Sequence, residues 1–427
     1  MKNTLSSPRF QRLAKEAVWV FFGQALMVVG SLVGVRLLTE ALPPSGYGEL
    51  ALGMTIATLV NQIILGPLGG GILRFYAVAV KFSDVSGYLD AVIKISLYAT
   101  GIVILIATIV ISILLVMGKS YLLPITVSAF IFAILSGYVS NISGIQTASR
   151  QRSIVALHQG LEPLLRSLVA VCLLFSFGID SYLAMIGYAF ASLIILLSQL
   201  LFSKIRVSAI SVSKFSQKWF GDIWRFSWPI GIFGIFTCLQ VSSDRWALNF
   251  FASNSEVGNY AVLYQLGYYP ITLLTGMMLQ FLLPILYQHT GDASNLKKNA
   301  DVTRLSWQLT WFSLGLTLFT FLGALFFHSQ LFHILVAKEY RSVSYLVPWI
   351  IISGGVFASG QTLASNLQAK MKTREMMMAK IVTALFGILL NFVGAYFYGI
   401  KGVVCAGILF SILYFFWMAS LVNKWSN

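Results

Sequence analysis

Three charged residues, Arg36, Asp244 and Arg245, stand at the ends of long apolar stretches of the sequence. If these stretches lie in a membrane, their charged groups should face protein or water, because exposing them to lipid costs several kcal/mol. Two guanidinium groups beside a water-filled path could hold a pyrophosphate or an acidic sugar bidentately, and Asp244 could carry a coupling proton. The alternative interpretation places both arginines at the outer headgroups, with Asp244 bonded locally.

Glu162 and Arg166 form a second charged set, four residues apart within another apolar stretch, with His158 one turn earlier. This spacing lets the carboxylate and the guanidinium pair along one helix face. The set could be a cation site or a proton relay, or an internal ion pair that holds one half of the protein together. The matching positions of the second half are Ala384 and Ile388, so a functional site here would exist in one half only.

The stretch GPLGGGILR (66–74) predicts an interruption in a helix, because proline and glycine weaken or remove helix hydrogen bonds. Backbone freed at membrane depth is tolerated only against protein or a wet cavity. Pro284 is the counterpart of this stretch in the second half of the chain, and Pro270 lies in the same apolar span as Pro284. Arg74 could bind a phosphate or simply anchor the chain at the inner surface. The residues predicted to give a hinge or line a cavity are Gly66, Pro67, Gly69, Gly70, Pro270 and Pro284.

Several uncharged polar residues also lie inside apolar stretches, where they could bind sugar hydroxyls or bond across helices. Tyr264, Tyr268 and Tyr269 could stack on sugars or pack in the core. The four histidines and three cysteines have no metal-ligand spacing, so we predict no metal, no cofactor and no enzyme activity. The polar candidates for the substrate path are Gln24, Asn61, Gln62 and Gln240.

The composition of the chain predicts which kind of secondary structure carries these residues. Of 427 residues, 58% are hydrophobic and 10% charged, with a mean hydropathy of +0.82. Soluble proteins carry about 25% charged residues, so the solvent must be lipid. About twelve apolar runs are long enough to cross a bilayer, and an all-α polytopic fold is expected, since a barrel would show short alternating strands.

The net charge of +15 comes from basic residues in the short connectors between apolar runs. With the N-terminus inside, 23 of the 29 Lys and Arg residues fall on the inner side. This distribution predicts a multi-pass plasma (inner) membrane protein with both termini in the cytoplasm. It also argues against nucleic acid as a partner, because no basic patch adjoins stacking aromatic residues.

The chain contains an internal repeat. Residues 136–182 align with 358–403, and 36–51 with 245–261. An even number of spans in each half predicts two parallel six-helix lobes, with the substrate path at their interface. The predicted domains are 1–205, a cytoplasmic linker 206–225, and 226–427. The aligned residues are Gln146 with Gln368, Arg150 with Lys372, Arg152 with Arg374, Gly178 with Gly399, Arg36 with Arg245, and Gly48 with Gly258.

Four features of this sequence resemble those of the lipid-linked oligosaccharide (polysaccharide) flippases. They are the RLL and YGEL segments of 36–50, the Gly-rich second span, the Gln-x3-basic-x-basic turn and the late Gly-Ile turn. These belong to an exporter superfamily that also holds multidrug extruders and lipid II flippases. The resemblance implies two lobes forming a V around a central cavity, and a monomer. It further implies flipping of a polyprenyl-pyrophosphate-linked oligosaccharide by alternating access, with membrane lipids and other polysaccharide-assembly proteins as partners. In this family the fifth span packs away from the cleft, which favours the structural interpretation of Glu162 and Arg166.

Two alternatives remain open at this point. The first is a multidrug or cation antiporter of the same fold, which should place carboxylates in the cavity, and Asp244 and Glu162 keep it in play. The second is a membrane-embedded glycan polymerase or transferase. Such enzymes generally need a sizeable outer loop, and no connector here exceeds about 25 residues, a length that also excludes a nucleotide-binding domain.

Overall fold

The computed structural model describes residues 8–202, 217–290 and 296–425, and within them the side chains of 18–202, 217–232, 234–279, 299–372 and 374–425. Every regular element in these ranges is helical, so the all-α prediction is confirmed. In chain order the helices are α1 (Pro8–Ala41), α2 (Pro44–Val60), α3 (Gly66–Lys81), α4 (Val85–Val116), α5 (Leu123–Ala148), α6 (Arg152–Phe177), α7 (Ser181–Phe202), α8 (Gln217–Phe251), α9 (Asn254–Leu263), α10 (Tyr269–Thr290), α11 (Leu296–Leu335), α12 (Val347–Ala369) and α13 (Thr373–Lys424).

Ten helical segments of the described ranges are long and apolar enough to cross a membrane. One of them, α13, is two helices joined at Gly399, whose backbone has φ 53° and ψ −133°. The helices α9 and α10 run on through a short connecting turn and supply a further apolar segment. The chain is therefore a multi-pass membrane protein, and its helices correspond to the spans that hydropathy predicts.

The chain separates into two compact units. The first comprises 1–42 and 52–238, and the second comprises 43–51 and 239–427. A helix begins within the predicted linker at Gln217 and continues to Phe251, so residues 217–225 are helical. Residues 206–216 of the predicted linker lie outside the described residues.

In the first unit, α1 packs along α6 through small residues. A Cβ on Gly23 would lie 2.7 Å from the Ala156 carbonyl oxygen, so the two backbones are in direct contact. Buried amides join α5 and α7, where Gln199 donates to the Ser143 hydroxyl and Gln146 donates to the Gln199 carbonyl. Close backbones and buried hydrogen bonds are the expected means of joining helices in lipid, where apolar surface alone gives little preference for a neighbour.

In the second unit, α12 is the most enclosed helix, and hydroxyl groups fix it against α11. Thr310 and Thr362 share a hydrogen bond of 2.6 Å, and Ser359 donates to Ser313. Beyond the end of α12, the ammonium of Lys370 donates to Thr303 Oγ1 at 2.6 Å and to the Trp425 carbonyl at 3.1 Å. Burial lowers the pKa of this ammonium. Lys370 therefore joins the turn between α12 and α13 to α11 and to the end of α13.

The backbone places the repeat one residue away from the register that the sequence suggested. Arg150 (φ 61°) and Met371 (φ 58°) hold the same left-handed position in their turns. Arg150 and Met371 are separated by the same number of residues as Gly178 and Gly399. Gln146 and Gln368 are separated by one residue more. The basic residues of the two turns are therefore shifted by one position, which shows that backbone geometry, rather than charge, is what the repeat shares here.

Candidate functional site

Asp244 and Arg245 form a charged pair on α8 in the second unit. The Asp244 side chain is buried, and the Arg245 side chain is 14% exposed. Their charged groups are 3.9 Å apart, and the Arg245 amide donates to the carboxylate at 2.6 Å. A buried carboxylate with several donors can stay charged or bind a proton without leaving its place.

A column of aromatic rings begins on this arginine. Its guanidinium lies over the Tyr264 ring at 4.7 Å, and Tyr264 stacks on Tyr268 with a centroid distance of 4.6 Å. Tyr268 in turn faces Phe357 at 6.3 Å. Tyr264 and Tyr268 are only half-buried, so stacking on a sugar and packing in the core both stay predictions for them.

Arg36, which the sequence aligns with Arg245, has different surroundings. It forms an ion pair with Glu40 on the next turn of α1. The two side chains are 34% and 52% exposed, so this pair is far less enclosed than Asp244 and Arg245. The repeat therefore preserves the position of the arginine but not its partners.

The predicted interruption in the second span is a widened turn rather than a break. Residues Asn61–Leu65 form a π-helical turn, in which the Gly66 amide donates to the Asn61 carbonyl. The added residue accommodates Pro67, which has no N–H to continue the helix. The chain then continues directly as α3, so the helix does not open at this point.

The second unit repeats this arrangement at Tyr264–Tyr268, where the Tyr269 amide donates to the Tyr264 carbonyl and Pro270 follows. The local match to Pro67 is therefore Pro270. Pro284 lies in α10, and its side chain is outside the described set. Of the glycines, Gly69 lies beside the Asn141 side chain, and Gly70 lies near Phe226. Such π-helical turns often occur at functional positions in helices.

The polar candidates of the first unit lie on three helical segments. Asn61 donates to Ser136 Oγ at 3.0 Å and to the Ala57 carbonyl. Gln62 lies in the same π-helical turn, and a Cβ on Gly234 would overlap its carbonyl oxygen. The amide oxygen of Gln24 is buried and has no partner among the described residues. Arg74 is exposed, with its guanidinium 5.0 Å from the Phe226 ring.

Gln240 belongs to the second unit and lies half-buried on α8, one turn before Asp244. Its carbonyl accepts a hydrogen bond from Ser243. In the same unit, Asn391 donates to the Ser243 hydroxyl at 2.8 Å. Polar groups therefore lie on α8 directly before the charged pair.

Glu162 and Arg166 pair within α6, and the guanidinium also lies 4.7 Å from the Phe132 ring. The His158 ring does not join them. Its nitrogens bond to Ser198 Oγ at 2.9 Å and to the Ile154 carbonyl at 2.8 Å. These contacts link α6 to α5 and α7, as expected of an internal pair that joins helices.

Two residues that sequence patterns did not indicate are placed at special positions. Asn141 on α5 is 3% exposed, and neither of its amide atoms has a partner within the described part of the chain. Glu256 accepts a hydrogen bond from the Ile400 amide at 2.8 Å, next to the left-handed Gly399. Glu256 lies in the first turn of α9, and neither it nor the lone Asn141 has a spacing that points to these contacts, so only packing reveals them.

No group of three or more His, Cys, Asp or Glu side chains suited to a metal ion occurs among the residues whose side chains are described.

The sequence matches the model of the polysaccharide biosynthesis protein family over residues 13–289. The fold is similar to that of an inward closed lipid II flippase MurJ, with a TM-score of 0.69 and 15% identity over 96% of this chain and 87% of that one. It is also similar to an inward-facing multidrug resistance MATE family transporter of the MOP superfamily (TM-score 0.64, 16% identity, 95% and 96% covered). A MOP superfamily transporter from Pyrococcus furiosus gives 0.60 and 14%, with 96% and 95% covered. The comparison with curated protein sequences gave no significant match.

Proposed function

We propose that this chain, which belongs to the polysaccharide biosynthesis protein family, flips a polyprenyl-pyrophosphate-linked oligosaccharide from the inner to the outer leaflet of the plasma membrane. Its fold is that of the MOP-superfamily transporters. Flipping by alternating access would supply the outer leaflet with precursors for cell-surface polysaccharide. Both termini would lie in the cytoplasm, as the distribution of basic residues predicts.

The observation that carries the proposal is Arg245, a guanidinium enclosed at membrane depth and held in place from two sides. Asp244 fixes it through charge and the Tyr264 ring through stacking. A preorganised guanidinium can bind a pyrophosphate bidentately with little loss of side-chain freedom. Arg36 and Arg74 are the further cations proposed for the substrate path, with Gln24, Asn61, Gln62 and Gln240 as hydrogen-bonding groups for the glycan.

A second candidate function, antiport of drug cations, rests on Asp244. A buried carboxylate could attract an organic cation or exchange it for a proton. Against this, the carboxylate already accepts a hydrogen bond from the Arg245 amide and faces the Arg245 guanidinium at 3.9 Å. We therefore place Asp244 in coupling or in positioning Arg245, and the anionic lipid remains the preferred substrate.

The test is deletion of the gene, followed by an assay of which leaflet holds the polyprenyl-linked glycan. We expect the intermediate to accumulate on the cytoplasmic side and surface glycan to fall. Reintroducing the wild-type gene should restore both. Unchanged surface glycan with no cytoplasmic accumulation would contradict the proposal.

To separate the two functions, purified protein can be placed in proteoliposomes with a fluorescent polyprenyl-pyrophosphate glycan, and its exposure to an impermeant quencher measured. Parallel vesicles would be loaded with a fluorescent organic cation. Movement of the glycan lipid alone supports the flippase. Proton-dependent movement of the cation alone would favour the antiporter.

A further inference from the structure

The first part of α8 carries a buried stripe that packs on α3, on the turn from α3 to α4, and on the π-helical turn before α3. Its members recur every three or four residues, so they lie on one face of the helix. Each of them is buried, and their side chains become smaller along the helix, from tryptophan to glycine. Because small residues let two backbones approach closely, α8 lies nearest to its neighbours at the glycine end. The members are Trp219, Ile223, Ser227, Gly231 and Gly234.

At the tryptophan end of the stripe, a hydrogen bond joins α8 to the start of α4. The Trp219 indole N–H donates to the Asp84 carboxylate at 2.7 Å. Asp84 is also the N-cap of α4, because it accepts a hydrogen bond from the Gly87 amide at 3.2 Å. The Tyr88 ring lies edge-on to the indole, with centroids 6.1 Å apart, and its hydroxyl donates to the Ile72 carbonyl. One carboxylate therefore fixes the beginnings of two helices.

In the middle of the stripe, α8 approaches α3 at Gly71. A Cβ on this glycine would lie 2.6 Å from Ser227 Oγ and 3.1 Å from the Ile223 side chain. Ile223 is fully buried, and the Ser227 hydroxyl has no hydrogen-bond partner among the described residues. A glycine at this position of α3 therefore leaves the room that both side chains need.

At the glycine end, α8 lies on carbonyl groups that a proline cannot serve. Pro67 has no N–H, so it cannot donate to the carbonyl four residues before it, that of Ile63, or five residues before it, that of Gln62. A Cβ on Gly231 would overlap the Ile63 carbonyl oxygen, and one on Gly234 would overlap that of Gln62. The glycine Cα–H groups can act as weak donors to these oxygens. The packing of α8 therefore covers backbone that would otherwise be bare in lipid.

We propose that this stripe attaches residues 217–238 of α8 permanently to the first unit, so that any bend of α8 during transport lies beyond Cys238. The three contacts all require one register of α8, because a shift by one turn would bring Ser227 to the Ile63 carbonyl, where a Cβ does not fit. Separation would uncover both carbonyls. The first compact unit likewise ends at Cys238. The role in transport rests on the proposed function, whereas the attachment itself does not.

Gly234→Ala tests the glycine end of the stripe. The added methyl group meets a backbone carbonyl that cannot rotate away, so the midpoint of thermal unfolding in detergent should fall. Gly221→Ala is the control on the same helix and should not lower the midpoint, because a Cβ on Gly221 meets nothing within 4 Å. An unchanged midpoint for Gly234→Ala would contradict the contact between α8 and the π-helical turn.

Thiol labelling of the full chain in lipid vesicles tests whether α8 ever leaves α3. The three cysteines of the chain would first be replaced by alanine. A thiol from Ser227→Cys should resist membrane-permeant N-ethylmaleimide, with or without a polyprenyl-pyrophosphate glycan, because Ser227 is 2% exposed. Arg225→Cys is the matched control and should be labelled, because Arg225 lies on the same turn of α8 and is exposed. Labelling of both variants to the same extent would overturn the proposal.

A disulfide between α3 and α8 tests the attachment during transport. A Cβ on Gly71 would lie 2.6 Å from Ser227 Oγ, so Gly71→Cys with Ser227→Cys brings the two Cβ atoms within about 4 Å, as a disulfide requires. We expect the cross-linked protein to flip the glycan lipid in proteoliposomes as fast as the reduced protein. Gly71→Cys with Gly221→Cys is the control pair and should form no cross-link.

Loss of flipping on cross-linking that a reductant reverses would overturn the proposal, since it would show that α8 must leave α3 during transport. Failure of Gly71→Cys with Ser227→Cys to cross-link would also overturn it. Absence of flipping in wild type would instead contradict the proposed function, and thiol labelling would then decide whether α8 is attached.

Discussion

Gly48 and Gly258, which the sequence repeat aligns, pack directly against each other in the second unit. A Cβ on either glycine would lie 3.0 Å from the amide nitrogen of the other. The contact is reciprocal, since a side chain on Gly48 would overlap the Asn254 carbonyl, and one on Gly258 would overlap the Pro44 carbonyl. Pro44 and Asn254 occupy matching positions of the repeat, so the two sides of the contact mirror each other, as in a self-complementary contact.

This contact predicts that Gly258→Ala destabilises the protein. The added methyl group meets backbone atoms that cannot rotate away, and such overpacking costs about 1–3 kcal/mol. We expect a lower midpoint of thermal unfolding in detergent. Gly276→Ala is the control, because a Cβ there has nothing within 4 Å and alanine favours a helix. An equal or higher midpoint for Gly258→Ala would contradict the close packing.

Arg245→Ala should lower glycan export at normal protein level by about tenfold or more, since a charged hydrogen bond to a substrate contributes about 1.5–3 kcal/mol. Arg245→Lys keeps the charge but loses the bidentate fork and the stacking on Tyr264, so it should restore only part of the activity. The measurement is flipping by purified protein in proteoliposomes.

Arg36→Ala is the companion variant to Arg245→Ala. Its guanidinium is more exposed and pairs with Glu40, so we expect a smaller loss of export with unchanged thermal stability. Full activity in both arginine variants would indicate that both guanidinium groups lie at the lipid headgroups and do not bind the substrate.

Glu162→Gln should destabilise the first unit without changing the ion or proton dependence of transport. It leaves the Arg166 guanidinium without its carboxylate in a largely apolar setting, which costs several kcal/mol. Adding Arg166→Gln should recover much of the loss, because no charge then remains unpaired. A shift in the pH profile of transport in the single variant, at unchanged stability, would instead indicate a proton relay.

Asn141→Leu should raise the thermal unfolding midpoint. Both amide atoms of Asn141 are buried without partners in the described structure, and such an unpaired group costs about 1–3 kcal/mol that an apolar side chain of similar shape avoids. The variant would be compared with Asn61→Leu, which removes hydrogen bonds to Ser136 and Ala57 and should lower the midpoint. A lower midpoint for Asn141→Leu would show that its amide is paired in the protein.

The composition of the chain was sufficient to determine its fold class. In lipid every backbone group must find its partner within the chain, and residue patterns without short alternating strands leave only helices. The apolar runs fixed the spans, and the repeated sequence predicted two equivalent halves. The family resemblance was confirmed by the match to the family model over residues 13–289.

Which partners a side chain takes was decided in part by tertiary structure. Arg36 and Arg245 align in sequence, yet one pairs with Glu40 on its own helix, whereas the other is held by Asp244 and Tyr264. Pro67 and Pro270 predicted breaks, and the chain instead widened into π-helical turns that keep the helix continuous. The stacking of Arg245 on Tyr264 depends on which helices pack together, and that packing is set by contacts between residues far apart in sequence.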